Sequence, residues 1–536
     1  MLRVGPKPCR AVCEVARPIP CEQARPSAAS GAWFEALVVG DISKARAQSM
    51  SPGHHLVQGT VLVFLAEALF PLTGLITASF LTRSLGAGNY GLLTLTATLI
   101  TWVEIAIVSL FDRTMVKAIG EAEDWNSIGA VLLRLHLLVG IAATVACWLL
   151  AKPCAVLFGE PGLASCLAIY AVDIPIFALA HAYRNILIGT GRFAGRASTS
   201  AGRWITRLIL IVLLVELGFS VRGAILGGIG ASLAELVIAR HYVRPSWSAP
   251  AAAPVTIWDY ALPVFLATLI LRVLDMGLLL LKILGASAAQ AGIYGAAQNV
   301  SFIMPAILAL SLSPLLLSTM TRVKREGDLP AARTLAFNAI RAVVGMLPFA
   351  VVAAAASDEV AILLFGAQFA DAGPLLAILV FAGLAIMMIN LLSAIMIACG
   401  KPSWTLGVAA PLLPAALAGH LLAIPRFGPI GAASVTAVVA SLGAFAGLLV
   451  VCRYLRIQLP TVTLIRSVLL SLMVYPLVSF WPAHGLAVMG KMAVAAVAVL
   501  GGFIALRELR QDEIDFVRSI LRKSLSGKSA MNVHKN

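Results

Sequence analysis

The chain has 536 residues, of which 60% are hydrophobic and only 12% charged, with a formal net charge of +15. This balance excludes an ordinary soluble domain built round one core. The Lys and Arg residues are spread through short polar breaks instead of forming one basic stripe with interleaved aromatics, which argues against a nucleic-acid partner.

The apolar residues come in runs of about twenty, enough to cross a hydrocarbon layer ~30 Å thick. Residues 1–50 are rich in Pro, Ala, Arg and Ser and hold no such run, so they read as a disordered or misassigned tail ahead of the membrane sequence. A first lobe, 51–246, contains predicted spans 56–80, 90–111, 128–150, 163–189, 201–219 and 223–243. A second lobe, 257–456, contains 258–284, 292–319, 336–356, 373–399, 404–424 and 428–451. Two more spans fill 463–506, and residues 507–536 form a basic tail whose Leu509, Phe516, Ile520 and Leu521 fall on one helical side, suited to anionic lipid. The fold class expected is therefore all-α and polytopic, with about fourteen transmembrane helices. Strands are excluded because the alternation a barrel needs is absent, and an open chain in lipid leaves backbone groups unpaired.

Orientation follows from the basic residues in alternate breaks. One set holds fourteen, among them Arg113, Arg192, Arg196, Arg203, Lys401 and Arg453; the other holds Arg83, Lys152, Arg222 and Arg426. Both termini of a multi-pass membrane protein are thus expected on the cytoplasmic side. The chain also repeats itself. Thr82-Arg83-Ser84-Leu85-Gly86-Ala87 matches Leu281-Lys282-Ile283-Leu284-Gly285-Ala286, Tyr90-Gly91 matches Tyr294-Gly295, Thr114-Met115 matches Thr319-Met320, and Gly191-Arg192 matches Gly400-Lys401. An ordered series of this kind implies duplication. Six spans per repeat is even, so the two lobes are related by an axis along the membrane normal.

The segment Leu81-Thr82-Arg83-Ser84-Leu85-Gly86-Ala87-Gly88-Asn89-Tyr90-Gly91, the two turns after spans four and ten, and the six-plus-six-plus-two layout resemble the polysaccharide flippases of the multidrug/oligosaccharidyl-lipid/polysaccharide exporter superfamily. That resemblance covers about residues 52–506. It implies alternating access by two lobes and a substrate made of an oligosaccharide on a polyprenyl diphosphate, for O-antigen or exopolysaccharide assembly. Membrane lipids, a polysaccharide polymerase and glycosyltransferases are the further candidate partners.

A diphosphate crossing lipid needs a polar, cationic cavity, since stripping water from its charges costs tens of kcal/mol in the idealised limit. Each ionisable residue inside a span is therefore a candidate, because placing one at a helix centre costs about 2.5–3.5 kcal/mol. Arg272 and Asp275 in span seven share a face; Arg272 would grip phosphate with Asp275 as counter-ion, and the alternative is a structural ion pair. Glu67 and Glu104 are candidates for coupling, or for a salt bridge to Arg272. Arg134 and His136, with His181, Arg184 and Asn185, would form an entry vestibule, against snorkelling of Arg184 to the headgroups. Arg83 and Lys282, at equivalent repeat positions, read as interface anchors or as gates. Asp173 precedes Pro175 in a helix expected to bend, and Glu235 is near enough to the cytoplasmic edge to be solvated.

No GxxxxGK[ST], HExxH or GxSxG motif is present, and the eight cysteines include no CxxC pair, so neither an enzymatic activity nor a metal or other cofactor is expected. Cys154 and Cys166 read as small packing residues more readily than as a disulfide. The competing functional readings are a cation-coupled multidrug exporter of the same superfamily and, less favoured, a membrane sugar polymerase or glycosyltransferase.

Overall fold

The computed structural model describes residues 62–121, 124–245, 258–303, 316, 319–321, 323 and 327–508. The expected tail 1–50 and the amphipathic tail beyond Glu508 lie outside these residues, as do most of 304–326, which carry the second half of predicted span eight. All regular structure among the described residues is helical, the outcome required when every backbone N–H and C=O must be paired without water. The first half of the chain forms α1 (Leu69–Glu121), α2 (Trp125–Leu157), α3 (Pro161–Tyr170), α4 (Asp173–Gly189), α5 (Phe193–Leu214), a π-helical turn (Val215–Phe219) and α6 (Ser220–Tyr242). The second half forms α7 (Trp258–Leu271), a 3₁₀ turn (Arg272–Asp275), α8 (Gly277–Ile283), α9 (Ala288–Ser301), α10 (Leu329–Val344), α11 (Leu347–Ala355), α12 (Ser357–Phe365), α13 (Ala372–Ala398), α14 (Pro402–Ala409) and α15 (Leu412–Leu455). Helices α16 (Thr461–Ser479) and α17 (Ala487–Ala505) follow.

Nine helical stretches among the described residues are long and apolar enough to cross a membrane. Three of them, beginning at Leu62, Phe193 and Pro402, are broken by a positive-φ residue, and the last two fold back on themselves. A Cβ on Gly223 would meet the Leu214 carbonyl at 2.9 Å and one on Gly227 the Ile211 backbone at 2.8 Å, which places α5 and α6 side by side and antiparallel. In the same way Gly431 lies against the Ala423 carbonyl and Gly419 against Val435, so α15 is a hairpin turning at Gly428. Divided at those three breaks, the nine stretches give twelve apolar helical segments. Predicted span seven is interrupted by the 3₁₀ turn, and predicted span eight is described continuously only to residue 303.

The duplication read from the sequence recurs in the backbone. Gly86 and Gly285 have φ of 70° and 95°, and Gly191 and Gly400 have 71° and 73°. Two further pairs escaped the sequence comparison: Leu157-Phe158-Gly159 matches Leu364-Phe365-Gly366, and the hairpin turn Phe219-Ser220 matches Phe427-Gly428. In the last pair Ser220 takes φ 51°, ψ −133° and Gly428 takes φ 55°, ψ −134°. Only glycine enters that region without a Cβ clash, so the serine carries strain of about 1–3 kcal/mol. Ser220→Gly is therefore expected to stabilise the protein by about 1 kcal/mol, and Gly428→Ser to cost a similar amount, by thermal unfolding in detergent. An unchanged midpoint for both would show that the turn relaxes around either residue.

The bend expected before Pro175 is present as the break between α3 and α4. Pro175 has no N–H to give the Ala171 carbonyl, and Thr144 Oγ1 donates to that oxygen at 3.0 Å instead. Trp148 Nε1 donates to the Ala168 carbonyl at 3.0 Å. Cys154 and Cys166 are free thiols. Helices α16 and α17 are tied to the second half at both ends. Lys491, buried in α17, meets Glu359 at 2.6 Å. Glu508, beyond the last span, receives Arg341 at 2.8 Å, Arg466 at 2.6 Å and Thr463 at 2.5 Å. Burial alone would raise the Glu508 carboxyl, but these hydrogen bonds and the Arg341 charge outweigh it and hold it below the ordinary range.

Candidate functional site

In α5, Arg196, Ser200, Arg203 and Arg207 recur at i, i+4, i+7 and i+11, the spacing of a single helix face. In α4, Asp173, Phe177, His181 and Arg184 recur at i, i+4, i+8 and i+11, likewise on one face. The two faces meet inside the first half, and Glu67 from the first span and Glu235 from α6 complete a column of charge. From Arg196 to Arg207 it extends about 16 Å along the helix axis, from the basic end of the bundle into the apolar middle.

Arg196 and Ser200 grip Glu67 together: Arg196 donates to one carboxylate oxygen and to the Ser200 hydroxyl, and Ser200 donates to the same carboxylate at 2.8 Å. Glu235, fully enclosed, is shared by two guanidiniums. Arg203 donates to one oxygen, while Arg184 Nε approaches the other at 3.0 Å, close enough for an ion pair but not aligned as a hydrogen bond. Arg184 and Arg203 also lie over the Phe177 ring at 5.9 and 4.9 Å. Because a guanidinium has no lone pair, Arg184 must donate to His181 Nδ1 at 2.6 Å, which leaves the proton of the neutral ring on Nε2. Deeper in, Glu104 and Asp173 are buried and make no ion pair among the described residues, and Asp173 Oδ1 has no hydrogen-bond partner.

In the second half, Arg272 meets Asp275 at 2.8 Å, with side chains 38% and 23% exposed. The pair sits on a 3₁₀ turn, not the continuous α-helix expected, and in a 3₁₀ turn residues i and i+3 eclipse, so the shared face is closer still. Leu271, Leu274 and Met276 of the same stretch pack on Ala385, Ile389 and Leu412, which fixes the opposite side of the break on the second half's core. Behind it lies a polar thread that the sequence did not single out: Tyr294 and His420 each reach Thr436 at 3.4 Å, all three buried.

The end of the bundle opposite Arg192 and Lys401 is joined by reciprocal contacts. Arg83 of the first half donates to the Leu363 carbonyl at 2.6 Å, and Lys282, its repeat counterpart, meets Glu160 at 2.8 Å. Each thus reaches the Leu-Phe-Gly turn of the opposite half. Between them α1 and α9 touch backbone to backbone, since a Cβ on Gly91 would fall 1.8 Å from the Ala288 carbonyl oxygen and one on Gly292 2.3 Å from that of Ala87.

The structure therefore brings Glu67 and Arg184 into one ionic column and joins Arg272 to Asp275. Glu67 pairs with Arg196, not Arg272. Arg134 is half-buried and joins neither group, while His136 bonds the Leu132 carbonyl of its own helix and packs on Phe111. Arg184 does not snorkel, and Glu235 is sealed, not solvated. Arg196 and Arg203, read as loop residues, lie in α5, which begins eight residues before predicted span five.

A family model described as polysaccharide biosynthesis protein matches residues 80–374, more than half of the chain. No curated protein sequence matches it. Among solved structures, the lipid II flippase MurJ in its inward closed conformation superimposes with a TM-score of 0.64 at 14% identity, covering 84% of this chain and 99% of that one. A mutant of the MATE transporter VcmN from Vibrio cholerae gives 0.56 at 17% identity, over 75% of this chain and 97% of its own. A MOP superfamily transporter from Pyrococcus furiosus gives 0.56 at 17% identity, over 76% and 96%. At such identities the likeness is one of fold.

Proposed function

The chain belongs to the polysaccharide biosynthesis protein family; from that premise, and from a fold shared with MurJ and MATE transporters, we propose that it is a multi-pass transporter of the multidrug/oligosaccharidyl-lipid/polysaccharide exporter superfamily that flips a polyprenyl-diphosphate-linked oligosaccharide across a bacterial inner membrane by alternating access, for O-antigen or exopolysaccharide assembly. The observation that carries this reading is the column in the first half, where Arg184, Arg196 and Arg203 share only two carboxylates, Glu67 and Glu235. These three guanidiniums outnumber the carboxylates they contact, and they carry forked donors of the geometry that phosphate oxygens accept. Arg272 offers a second such donor on the half-exposed break of span seven.

In this mechanism the basic end faces the cytoplasm, as do both termini. The diphosphate enters there, past Arg184, with Arg134 at the rim, and is handed to Arg272 as Asp275 lets go. Arg83 and Lys282 hold the outer end shut until the halves rock apart. Glu67 acts as a counter-ion, being engaged by Arg196 and Ser200, whereas Glu104, lacking an arginine in ion-pair contact, is the candidate for cation coupling. A polysaccharide polymerase and glycosyltransferases act on either side of the transport step. The buried acids Glu104 and Asp173 also favour a second reading, a cation-coupled multidrug exporter, for which a pair of carboxylates matters more than the arginines.

The deciding experiment is removal of the gene from a bacterium that depends on it. Surface polysaccharide is expected to disappear while its lipid-linked precursor accumulates on the cytoplasmic side. Unchanged polymer with no accumulated precursor would refute the flippase reading, and restored sensitivity to cationic drugs in that case would establish the exporter.

A further inference from the structure

Helix α14 and the two ends of α15 enclose a groove of about 960 Å³ on the second half. Its walls are apolar, its lining includes no carboxylate, and its one charged side chain is Arg453. A Cβ on Gly407 would meet nothing within 4 Å, and Pro411 marks the break between the two helices. At the mouth, Trp404 and Tyr454 meet edge to face at 4.9 Å, and Lys401 Nζ lies 5.8 Å from the Trp404 ring. Arg453 is exposed and forms no ion pair among the described residues. One apolar wall runs from Trp404 to Ala415 and the other from Arg453 back to Leu442. Each is twelve residues, a rise of about 16 Å, which matches the ~15 Å depth of one leaflet's hydrocarbon.

The repeat counterpart in the first half is closed. Lys401 corresponds to Arg192 and Trp404 to Gly195, but there the Tyr242 ring lies 3.0 Å from where a Cβ of Gly195 would stand. Arg192 is spent on the Tyr242 carbonyl at 2.5 Å. The open groove is thus a property of the second half and not of the repeat itself.

We propose that this groove seats a resident anionic glycerophospholipid of the leaflet at the basic end, with an acyl chain along α14 and α15, its glycerol between Trp404 and Tyr454, and its phosphate on Arg453 and Lys401. Two cations without a carboxylate select an anionic headgroup, and an indole and a phenol at the mouth suit the headgroup boundary. A wall one leaflet deep fits an acyl chain of ordinary length, whereas a polyprenyl chain would overrun it. This resident lipid is distinct from the transported substrate.

The test uses the purified full-length chain and native mass spectrometry after exposure to phosphatidylglycerol, phosphatidylcholine or undecaprenyl phosphate at equal concentration. One phosphatidylglycerol is expected to be retained in preference to phosphatidylcholine. Arg453→Ala and Lys401→Ala should each weaken that retention about fivefold, the effect of one basic side chain near an anionic lipid surface. Gly407→Leu should displace the lipid while the protein folds normally, since the added side chain enters open space, and Arg192→Ala should leave retention unchanged. Equal retention of phosphatidylglycerol and phosphatidylcholine would overturn the proposal. So would phosphatidylglycerol retention that Gly407→Leu and Arg453→Ala leave intact, or a groove that Gly407→Leu closes to undecaprenyl phosphate alone.

Discussion

Glu235→Ala is expected to destabilise the folded protein by about 3–5 kcal/mol, the penalty of leaving buried charge without its partner. The carboxylate is fully enclosed and engages two guanidiniums from two other helices, Arg184 of α4 and Arg203 of α5. Removing it leaves like charges facing each other over Phe177 in a largely buried site. Stability comparable to the parent, by thermal unfolding in detergent, would show that the two arginines find other partners. The converse variant is as informative. Replacing Glu235, Arg184 and Arg203 together by apolar residues of similar volume should recover most of the loss, because the attraction in such a group only offsets the desolvation it causes. That triple variant should nonetheless transport nothing if the column handles the diphosphate, which separates the structural role of the charges from the functional one.

Much of the fold was legible because a membrane imposes a length and a polarity on each element. The runs of apolar residues gave the crossings, and the pairs Gly86/Gly285 and Gly191/Gly400 gave the duplication, since a positive φ at a tight turn leaves a glycine behind in sequence. The turn at Ser220 hid its kinship to Gly428 because a serine occupies the same backbone conformation under strain. The candidate site was legible only in part. A count of apolar residues opens span five at residue 201, because the preceding turns of α5 are polar on the face bearing Arg196 and Ser200. The signal that was available is the helical spacing of Arg196, Arg203 and Arg207, which a loop has no reason to keep. Glu235 was misread because distance from the end of a span says how deep a residue lies and not which way it points. The break at Arg272 has no glycine or proline of its own to announce it. It follows from packing, as Leu271 and Leu274 are drawn onto the second half's core.

Arg272→Ala is expected to abolish export while protein levels persist. The side chain is 38% exposed and its pairing with Asp275 lies within one turn, so its removal strands no sealed charge and opens no core cavity. What it removes is a forked cation at the middle of the path. A charge-assisted hydrogen bond to a phosphate is worth about 1.5–3 kcal/mol, and losing two of them slows passage by at least a hundredfold, below what polymer assembly needs. Arg272→Lys keeps the charge but not the fork and should retain partial export. Asp275→Asn acts in the opposite direction: with no counter-ion to reclaim Arg272, the substrate is held longer and release slows, so export falls while precursor binding tightens. The readouts are surface polysaccharide in a strain lacking the chromosomal gene, precursor bound to the purified variant, and protein level by immunoblot. Normal export by Arg272→Ala would remove this residue from the mechanism. Normal export by Arg272→Glu as well would remove the demand for a cation in the second half, and the unpaired acids Glu104 and Asp173 would then direct attention to the cation-coupled exporter instead.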